Sequence, residues 1–138
     1  MSQGLLLDTH AWIWLLLGEG KPDPKSLLCI EEAYTHHKLY ISDISLWEVS
    51  MLAKKERITL GQPTLSWIKQ ALKISGTQLV HISPEIGVDS TEFLADFHGD
   101  PADRILVATA RVLDLTLVTR DEKILAYGKT KRVLTLKF

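Results

Sequence analysis

Short, continuous apolar runs alternate along this chain with longer segments whose apolar residues recur every three or four positions. A run without polar residues, such as the leucines within residues 4–8, is typical of a strand that is covered on both faces. By this pattern the sequence predicts strands at residues 4–8, 39–42, 77–82, 115–119 and 132–138.

The segments between these runs have the spacing of helices and carry helix start and stop residues such as Pro63 and Gly18. The predicted helices span residues 9–18, 24–37, 43–56, 62–76, 84–97, 101–113 and 121–128. Strands that alternate with helices imply crossover connections, and therefore a mostly parallel sheet with helices on both faces.

The helix predicted at 101–113 begins with two aspartates three residues apart. Asp100 fits an N-cap, Pro101 the first helical position, and Asp103 the partner that faces back in a capping box. Acids at a helix start can also hold a metal ion, so both interpretations of Asp103 stay open.

Composition agrees with one globular domain over residues 1–138. The net charge of −1 argues against a broad nucleic-acid-binding surface but allows a local basic rim. A single cysteine, Cys29, suits a reducing compartment. Asp8 and His10 interrupt the apolar start of the chain, which is too short for a membrane span, so we expect a cytoplasmic protein without membrane contact.

Asp8 and Asp121 follow the carboxyl ends of predicted strands, whereas Glu48 lies on the helix after the strand at 39–42 and Asp103 on the helix after FHGDP. In open parallel sheets ligands bind in the crevice beyond these strand ends. We therefore expect the four carboxylates to meet at one edge of the sheet.

Glu48 is the most informative of the four. Its helical neighbours are Ile44, Met51 and Leu52, so it points along an apolar face without a cation one turn away. A carboxylate there must be hydrogen-bonded, protonated or bound to a cation. The alternative is a capping box with Ser45, which would start the helix at Leu46.

Asp8 and Asp121 each precede a helix, so each has the simpler interpretation of an N-cap. N-capping explains the four acids together less well, because two carboxylates about 5 Å apart repel by about 3 kcal/mol at an effective dielectric constant of 20. A divalent cation removes this conflict, and ligands that are all oxygen favour Mg²⁺ or Mn²⁺ over zinc.

The histidines and Arg104 give weaker signals. His10 and His98 lie near the expected site, whereas His81 is interpreted as a structural residue within a strand and the pair at 36–37 as a solvated helix end. Arg104 points away from the apolar face, so it is interpreted as solvated or paired with an acid, or as a contact to a phosphate.

Four segments that span almost the whole chain are LLLDTHAWIWLL, ISLWEVSMLAKKERITL, DPADRILVATA and LVTRDEKI, in that order. Together they resemble the PIN domain, and most of all the VapC-type toxins of bacterial toxin–antitoxin pairs. The resemblance implies a three-layer α/β/α sandwich around a mainly parallel five-stranded sheet. It also implies an Mg²⁺- or Mn²⁺-dependent endoribonuclease that leaves 5′-phosphate and 3′-hydroxyl ends.

The acids of that family fall on Asp8, Glu48, Asp103 and Asp121. The resemblance implies that Asp8 and Asp103 are the principal metal ligands, and that Glu48 and Asp121 act through water. Thr9 and Thr119 occupy hydroxyl positions near the site. The implied partners are an RNA substrate, a small cognate antitoxin and a second copy of the chain in a homodimer.

Affinity for RNA would need a basic rim, for which the candidates are Lys54, Lys55, Arg57, Arg104 and Arg120. An apolar groove for the antitoxin has as candidates Trp12, Trp47 and Trp67, each of which core packing also explains. Two other functions stay open. A phosphatase of another doubly wound family is disfavoured because Asp8 has no second aspartate two residues on, and a binding module would use the acids only as caps.

Overall fold

A five-stranded parallel sheet forms the centre of the computed structural model, which describes residues 4–74, 76–92, 94, 96–97 and 99–138. The strands are β1 Leu5–Leu7, β2 Leu39–Ser42, β3 Gln78–Val80, β4 Thr116–Thr119 and β5 Leu134–Lys137. The helices are α1 Thr9–Leu17, α2 Pro24–Thr35, α3 Asp43–Lys54, α4 Thr64–Ile74, α5 Pro84–Glu92, α6 Pro101–Val112 and α7 Glu122–Gly128. The predicted α/β sandwich is confirmed, and every strand pair in the described chain is parallel.

The central strand β1 divides the core into two clusters because successive side chains of a strand point to opposite faces. Leu5 and Leu7 belong to the cluster built with α1 to α4. Leu6 belongs to the cluster built with α5, α6 and α7. Leu6 and Leu7 are fully buried, and burial of such a side chain contributes about 1.5–3 kcal/mol. The continuous leucine run therefore specifies a strand between two helical layers.

The strand order β3-β2-β1-β4-β5 places a topological switch point between β1 and β4. The chain builds the sheet outward from β1 to β3 and then returns to the other side of β1 for β4. Leu7 pairs with both Ile41 and Val118, so Asp8, Ser42 and Thr119 follow at the same edge of the sheet. Ligand sites of doubly wound folds lie at this switch point, beyond the carboxyl ends of the strands.

Several predicted elements, among them one strand and one helix beside it in sequence, are shorter than the pattern suggested. The strand expected at 77–82 is β3 Gln78–Val80, because its last partner, Ser42, caps α3 and leaves nothing for a longer strand to pair with. His81 thus lies outside the strand, exposed and 3.2 Å from the Asp43 carboxylate, which corrects its interpretation as a strand residue. The helix expected at 84–97 is assigned only from Pro84 to Glu92.

Candidate functional site

One pocket of about 400 Å³ opens at the switch point of the sheet. All four predicted acids line it, together with the fifth acid Asp100, which sequence analysis had treated only as a helix cap. The lining is completed by Thr9, His10, Trp14, Leu106 and Arg120. The structure therefore brings together every acid that the strand-end rule had selected.

Asp8 is the most buried of the acids, with 8% of its surface exposed. It ends β1 and caps α1, since its Oδ1 accepts a hydrogen bond of 2.7 Å from the Ala11 N–H. Its Oδ2 accepts a hydrogen bond from the Thr119 hydroxyl. Burial raises the pKa of Asp8, and the bonds from Thr119 and Ala11 oppose that increase. Asp8 is thus both a cap and a carboxylate of the pocket.

Thr119 connects Asp8 to Asp121 across the ends of β1 and β4. Its hydroxyl donates to Asp8 and accepts the Asp121 N–H at 3.0 Å. Asp121 in turn caps α7, with Oδ1 accepting the Ile124 N–H at 2.9 Å. The threonine is fully buried, so it holds the two acids in a fixed relation.

Glu48 lies in the interior of α3, because the N-cap of this helix is Ser42 and not Ser45. The capping-box alternative for Glu48 is therefore wrong. The Thr9 hydroxyl donates to Glu48 Oε1 at 2.5 Å and lies 2.8 Å from the Ser45 hydroxyl. Thr9 has one hydroxyl proton and uses it in the hydrogen bond to Glu48. The Ser45 hydroxyl must therefore donate to the Thr9 oxygen.

Burial raises the pKa of Glu48, the Thr9 hydrogen bond opposes this, and the charges of Asp100 and Asp8 raise the pKa further. Ser45, which the sequence suggested only as a helix cap, is fully buried in this network. Its spacing from Glu48 places both on one helix face, but its contact with Thr9 spans 36 residues of sequence.

Asp103 occupies the third position of α6, where its N–H donates to Asp100 Oδ1 at 2.8 Å. Burial first, and then the charges of Asp100, Asp121 and Glu48, together raise the pKa of Asp103 to about 7. A hydrogen bond from the Asp100 backbone opposes the shift, which is the reciprocal contact of a capping box. Both interpretations of Asp103 are thus compatible, because the cap places its carboxylate in the pocket.

The predicted basic rim differs from the observed one. Arg120 lines the pocket, but none of Lys54, Lys55 and Arg57 does, because they lie at or beyond the far end of α3. Arg104 is also removed from the rim, since its guanidinium nitrogens donate to the backbone carbonyls of Ser90, Phe97 and Leu94.

Arg120 is held rigidly at the pocket wall. Its guanidinium carbon lies 4.8 Å from the ring centre of Trp14, and its N–H groups donate to the carbonyls of Gly20 and Phe138. A neighbouring groove contains Arg120 together with Lys21 and Lys137, which sequence analysis missed. These two lysines are 116 positions apart in the sequence, so no local pattern connects them.

Of the predicted tryptophans, Trp12 and Trp67 are core residues whose rings meet edge to face at 5.7 Å. Trp47 is 57% exposed. His10 is exposed and lines the pocket, whereas His98 lies outside the described residues. Within the described chain, no helix is long and apolar enough to cross a membrane.

The model of the PIN domain family matches residues 5–129. The chain belongs to the PIN domain family. It is also 32% identical over 129 residues to Ribonuclease VapC22 of Mycobacterium tuberculosis, an alignment that covers 94% of this chain and 95% of the relative. This PIN domain is therefore a homologue of a VapC ribonuclease.

Solved structures share the fold. A DNA-bound VapBC complex from Salmonella typhimurium matches with a TM-score of 0.69 at 15% identity, over 99% of this chain and 98% of that one. VapBC2 from Rickettsia felis, bound to a promoter DNA fragment, matches with a TM-score of 0.70 at 14% identity, over 97% and 98%. At these identities the matches establish the PIN fold of the chain.

VapC ribonucleases of the PIN family generally depend on a metal ion, and the pocket has suitable donors. Burial is the largest cause of the raised pKa of Asp103, and the neighbouring charges of Asp100, Asp121 and Glu48 add to it, so the carboxylates repel one another. Their oxygens are hard ligands. Among the described residues, no three acidic, histidine or cysteine side chains form a closed metal-binding group. Mg²⁺ does not require such a closed group, since at many phosphoryl-transfer sites it is bound through one or two carboxylates and several waters.

Proposed function

We propose that this PIN domain is an endoribonuclease toxin that hydrolyses RNA phosphodiester bonds with Mg²⁺ or Mn²⁺. The observation that carries the proposal is the meeting of Asp8, Glu48, Asp103 and Asp121 in one pocket at the switch point of the sheet. The similarity to Ribonuclease VapC22 supports the same reaction class.

Asp8 and Asp103 are the residues that would hold the cation, with Glu48 and Asp121 supporting it through water. When bound, the cation supplies a Lewis acid that lowers the pKa of water and offsets the charge that develops on the phosphate. The choice of Mg²⁺ or Mn²⁺ rests on the oxygen-only donor set.

The hydroxyl groups around the acids determine which oxygens face the pocket. Thr119 occupies Asp8 Oδ2, and Thr9, itself held by Ser45, occupies Glu48 Oε1. In this arrangement Glu48 Oε2 is the oxygen that orients the attacking water and takes its proton. Fixed carboxylates lower the cost of reorganisation during the reaction.

Cations beside the acidic pocket provide a path for the RNA backbone. Arg120 belongs to both the pocket and the neighbouring groove, where Lys21 and Lys137 follow it. We infer that the phosphates next to the cleaved bond contact Arg120 and continue along this groove. Asp23 and Glu122 also line the groove, so we expect binding to be modest and sensitive to salt.

A small cognate antitoxin is the proposed protein partner. The matching VapBC structures are toxin–antitoxin complexes, and exposed Trp47 offers an apolar contact on the outer face of α3. The homodimer that the family resemblance implies stays a prediction.

Cleavage of end-labelled RNA by the purified protein tests the proposal. Activity should disappear with EDTA, return with Mn²⁺ or Mg²⁺, and yield fragments with 5′-phosphates. Glu48→Gln should lower the cleavage rate by about 10²–10⁴-fold, because it removes the proton acceptor while keeping the Thr9 hydrogen bond.

The matched control is Glu85→Gln, which neutralises an exposed acid in the first turn of α5, outside the pocket. Its cleavage rate should equal that of the unsubstituted chain. Cleavage that persists in EDTA, or a Glu48→Gln variant as active as Glu85→Gln, would contradict the proposal.

A further inference from the structure

Arg104 directs its guanidinium away from the acidic pocket and into the backbone that precedes α6. Nε donates to the Ser90 carbonyl at 3.0 Å, Nη1 to that of Phe97 at 2.5 Å, and Nη2 to that of Leu94 at 2.8 Å. Ser90 lies in the last turn of α5, whose carbonyls have no partner within the helix. All three nitrogens of one side chain thus bind the end of α5 and the segment that follows it.

The same residue also closes this segment from its other end. The Arg104 N–H donates to the Asp100 carbonyl at 3.0 Å, as part of the first turn of α6. The Arg104 side chain therefore ties the Phe97 carbonyl to the capped first turn of α6. Asp100 and Asp103, which line the pocket, belong to this turn and its cap.

Gly99 lies between the Phe97 ring and the Asp103 side chain. A Cβ atom on Gly99 would lie 2.9 Å from Asp103 Cβ and 2.3 Å from the Phe97 ring. Phe97 is buried and packs on Tyr127 with ring centres 5.0 Å apart, so the ring has little room to move. A displacement of Phe97 would therefore change the contact of its ring with Gly99, and through Gly99 the position of the Asp103 side chain.

We propose that Arg104 is a positioning residue, which ties Phe97 to the capped first turn of α6 and thereby holds the Asp103 carboxylate in its place in the pocket. The proposal rests on the proposed function, because it assigns Asp103 to metal binding. It differs from the phosphate contact that the sequence had suggested for Arg104, since the guanidinium binds protein carbonyls. It also differs from a general role in packing α5 on α6.

Arg111 provides a matched control for that last distinction. It lies two turns further along α6 and also binds α5, through an Nε contact of 3.0 Å to Asp89. Its Nη1 donates to the Arg132 carbonyl at 2.7 Å. Arg111→Gln and Arg104→Gln thus remove the same charge and an α5 contact from the same helix, but only Arg104 lies in the first turn of α6, which carries Asp103.

The experiment measures Mn²⁺ affinity without RNA by calorimetry, and RNA cleavage over a range of salt concentrations. Arg104→Gln should weaken Mn²⁺ binding and lower kcat by about 10–100-fold each, the usual effect of losing a group that orients a ligand. KM for RNA and its salt dependence should stay as in the unsubstituted chain. The Mn²⁺ affinity and kcat of Arg104→Lys should lie between those of Arg104→Gln and of the unsubstituted chain, because an ammonium cannot serve three separated carbonyls.

Arg111→Gln should leave Mn²⁺ affinity and kcat within about twofold of the unsubstituted chain, although it also loosens α5. Equal effects of the two Gln variants would overturn the positioning role. A higher KM with a salt slope reduced by about one would overturn it too, because that result is typical of a phosphate contact. If Arg104→Gln does not fold, Arg104→Lys and Arg111→Lys carry the same comparison.

The outcomes also separate this proposal from the proposed function. If the unsubstituted chain binds Mn²⁺ but does not cleave RNA, the proposed function fails, and the Mn²⁺ affinities alone decide the role of Arg104. If the unsubstituted chain does not bind Mn²⁺, both proposals are overturned.

Discussion

The helices α2 and α6 begin with the same local signal but differ in what their first turns contribute. Each starts with an aspartate N-cap followed by proline, Asp23 with Pro24 in α2 and Asp100 with Pro101 in α6. The cap oxygens accept backbone N–H groups at 2.9 and 2.8 Å, respectively. Capping chemistry therefore starts both helices in the same way.

The third helical residue differs between the two. In α2 it is Ser26, which is buried and donates to the carbonyl of Lys137 in the outer strand β5. In α6 it is Asp103, which shares the central pocket with Asp8 and Asp121 and has a pKa raised to about 7. An N-cap therefore determines where a helix begins, whereas the position of the helix along the sheet edge determines what its first turn can do.

Substitution of the two third residues should give opposite results. Asp103→Asn should lower RNA cleavage by more than about a thousandfold, since loss of a group that merely orients a ligand already costs 10–100-fold. Its unfolding free energy without metal should be unchanged or higher, because repulsion among the acids is relieved. Ser26→Ala should keep full activity but lose about 1 kcal/mol of unfolding free energy, since the partly buried hydrogen bond to Lys137 is lost.

Cleavage assays and urea unfolding in EDTA measure the two quantities on the same samples. An Asp103→Asn variant that cleaves RNA at the normal rate in Mn²⁺ would contradict the site assignment. A Ser26→Ala variant that loses activity without losing stability would remove the contrast between the two helix starts.

Gly99, the residue before the Asp100 N-cap, tests how closely the start of α6 determines the position of Asp103. Gly99→Ala should lower cleavage by about 10–100-fold, because the added Cβ meets both the Phe97 ring and Asp103 Cβ and displaces the carboxylate. The control is Gly87→Ala in α5, where an added Cβ meets no atom within 4 Å. That variant should keep its activity and gain up to about 1 kcal/mol of unfolding free energy. Normal cleavage by Gly99→Ala would show that the function of Asp103 tolerates a displacement of Gly99.

Stability without metal should depend on pH through Asp103 and not through the α2 start. The folded protein keeps a proton on Asp103 up to a pKa of about 7, whereas the unfolded chain loses it near 3.8. Unfolding free energy should therefore fall as pH rises from about 4 to about 7. Allowing for solvent screening, we expect this contribution to be about 2 kcal/mol.

Urea unfolding in EDTA between pH 4.5 and 8 measures this contribution as a difference between variants. Asp103→Asn should have a flatter profile than the unsubstituted chain, and Ser26→Ala should keep the original slope at lower stability. Parallel profiles for the unsubstituted chain and Asp103→Asn would show that Asp103 ionises normally.

Local chemistry and the strand-end rule made most of the fold and four acids of the pocket predictable. The leucine run of β1, the caps Asp100 and Asp121 and the stop at Gly18 all act over a few residues. The parallel alternation of strands and helices then places the acids at one edge. For these features the sequence is sufficient, because each depends on neighbours or on the order of elements.

The partners of side chains across the fold could not be predicted in the same way. Ser45 contacts Thr9 across 36 residues, and Arg104 donates to the Ser90 carbonyl 14 residues earlier, at the end of another helix. An arginine on the polar side of a helix suggests solvent or phosphate, and only the tertiary structure reveals the end of α5 beside it. The rim of Lys21 and Lys137 was missed for the same reason.

We expect the smallest effects from removal of the two aspartate N-caps. Asp23→Ala and Asp100→Ala should each cost about 1 kcal/mol of unfolding free energy, because each removes one helix cap. Only Asp100→Ala should also change the pocket, since the Asp100 charge raises the pKa of both Asp103 and Glu48. The pH at which Mn²⁺ binding is half lost should therefore move downward in Asp100→Ala and stay in place in Asp23→Ala. Calorimetric Mn²⁺ titrations from pH 5 to 8 measure that midpoint, and equal midpoints would show that the α6 cap acts on its helix alone.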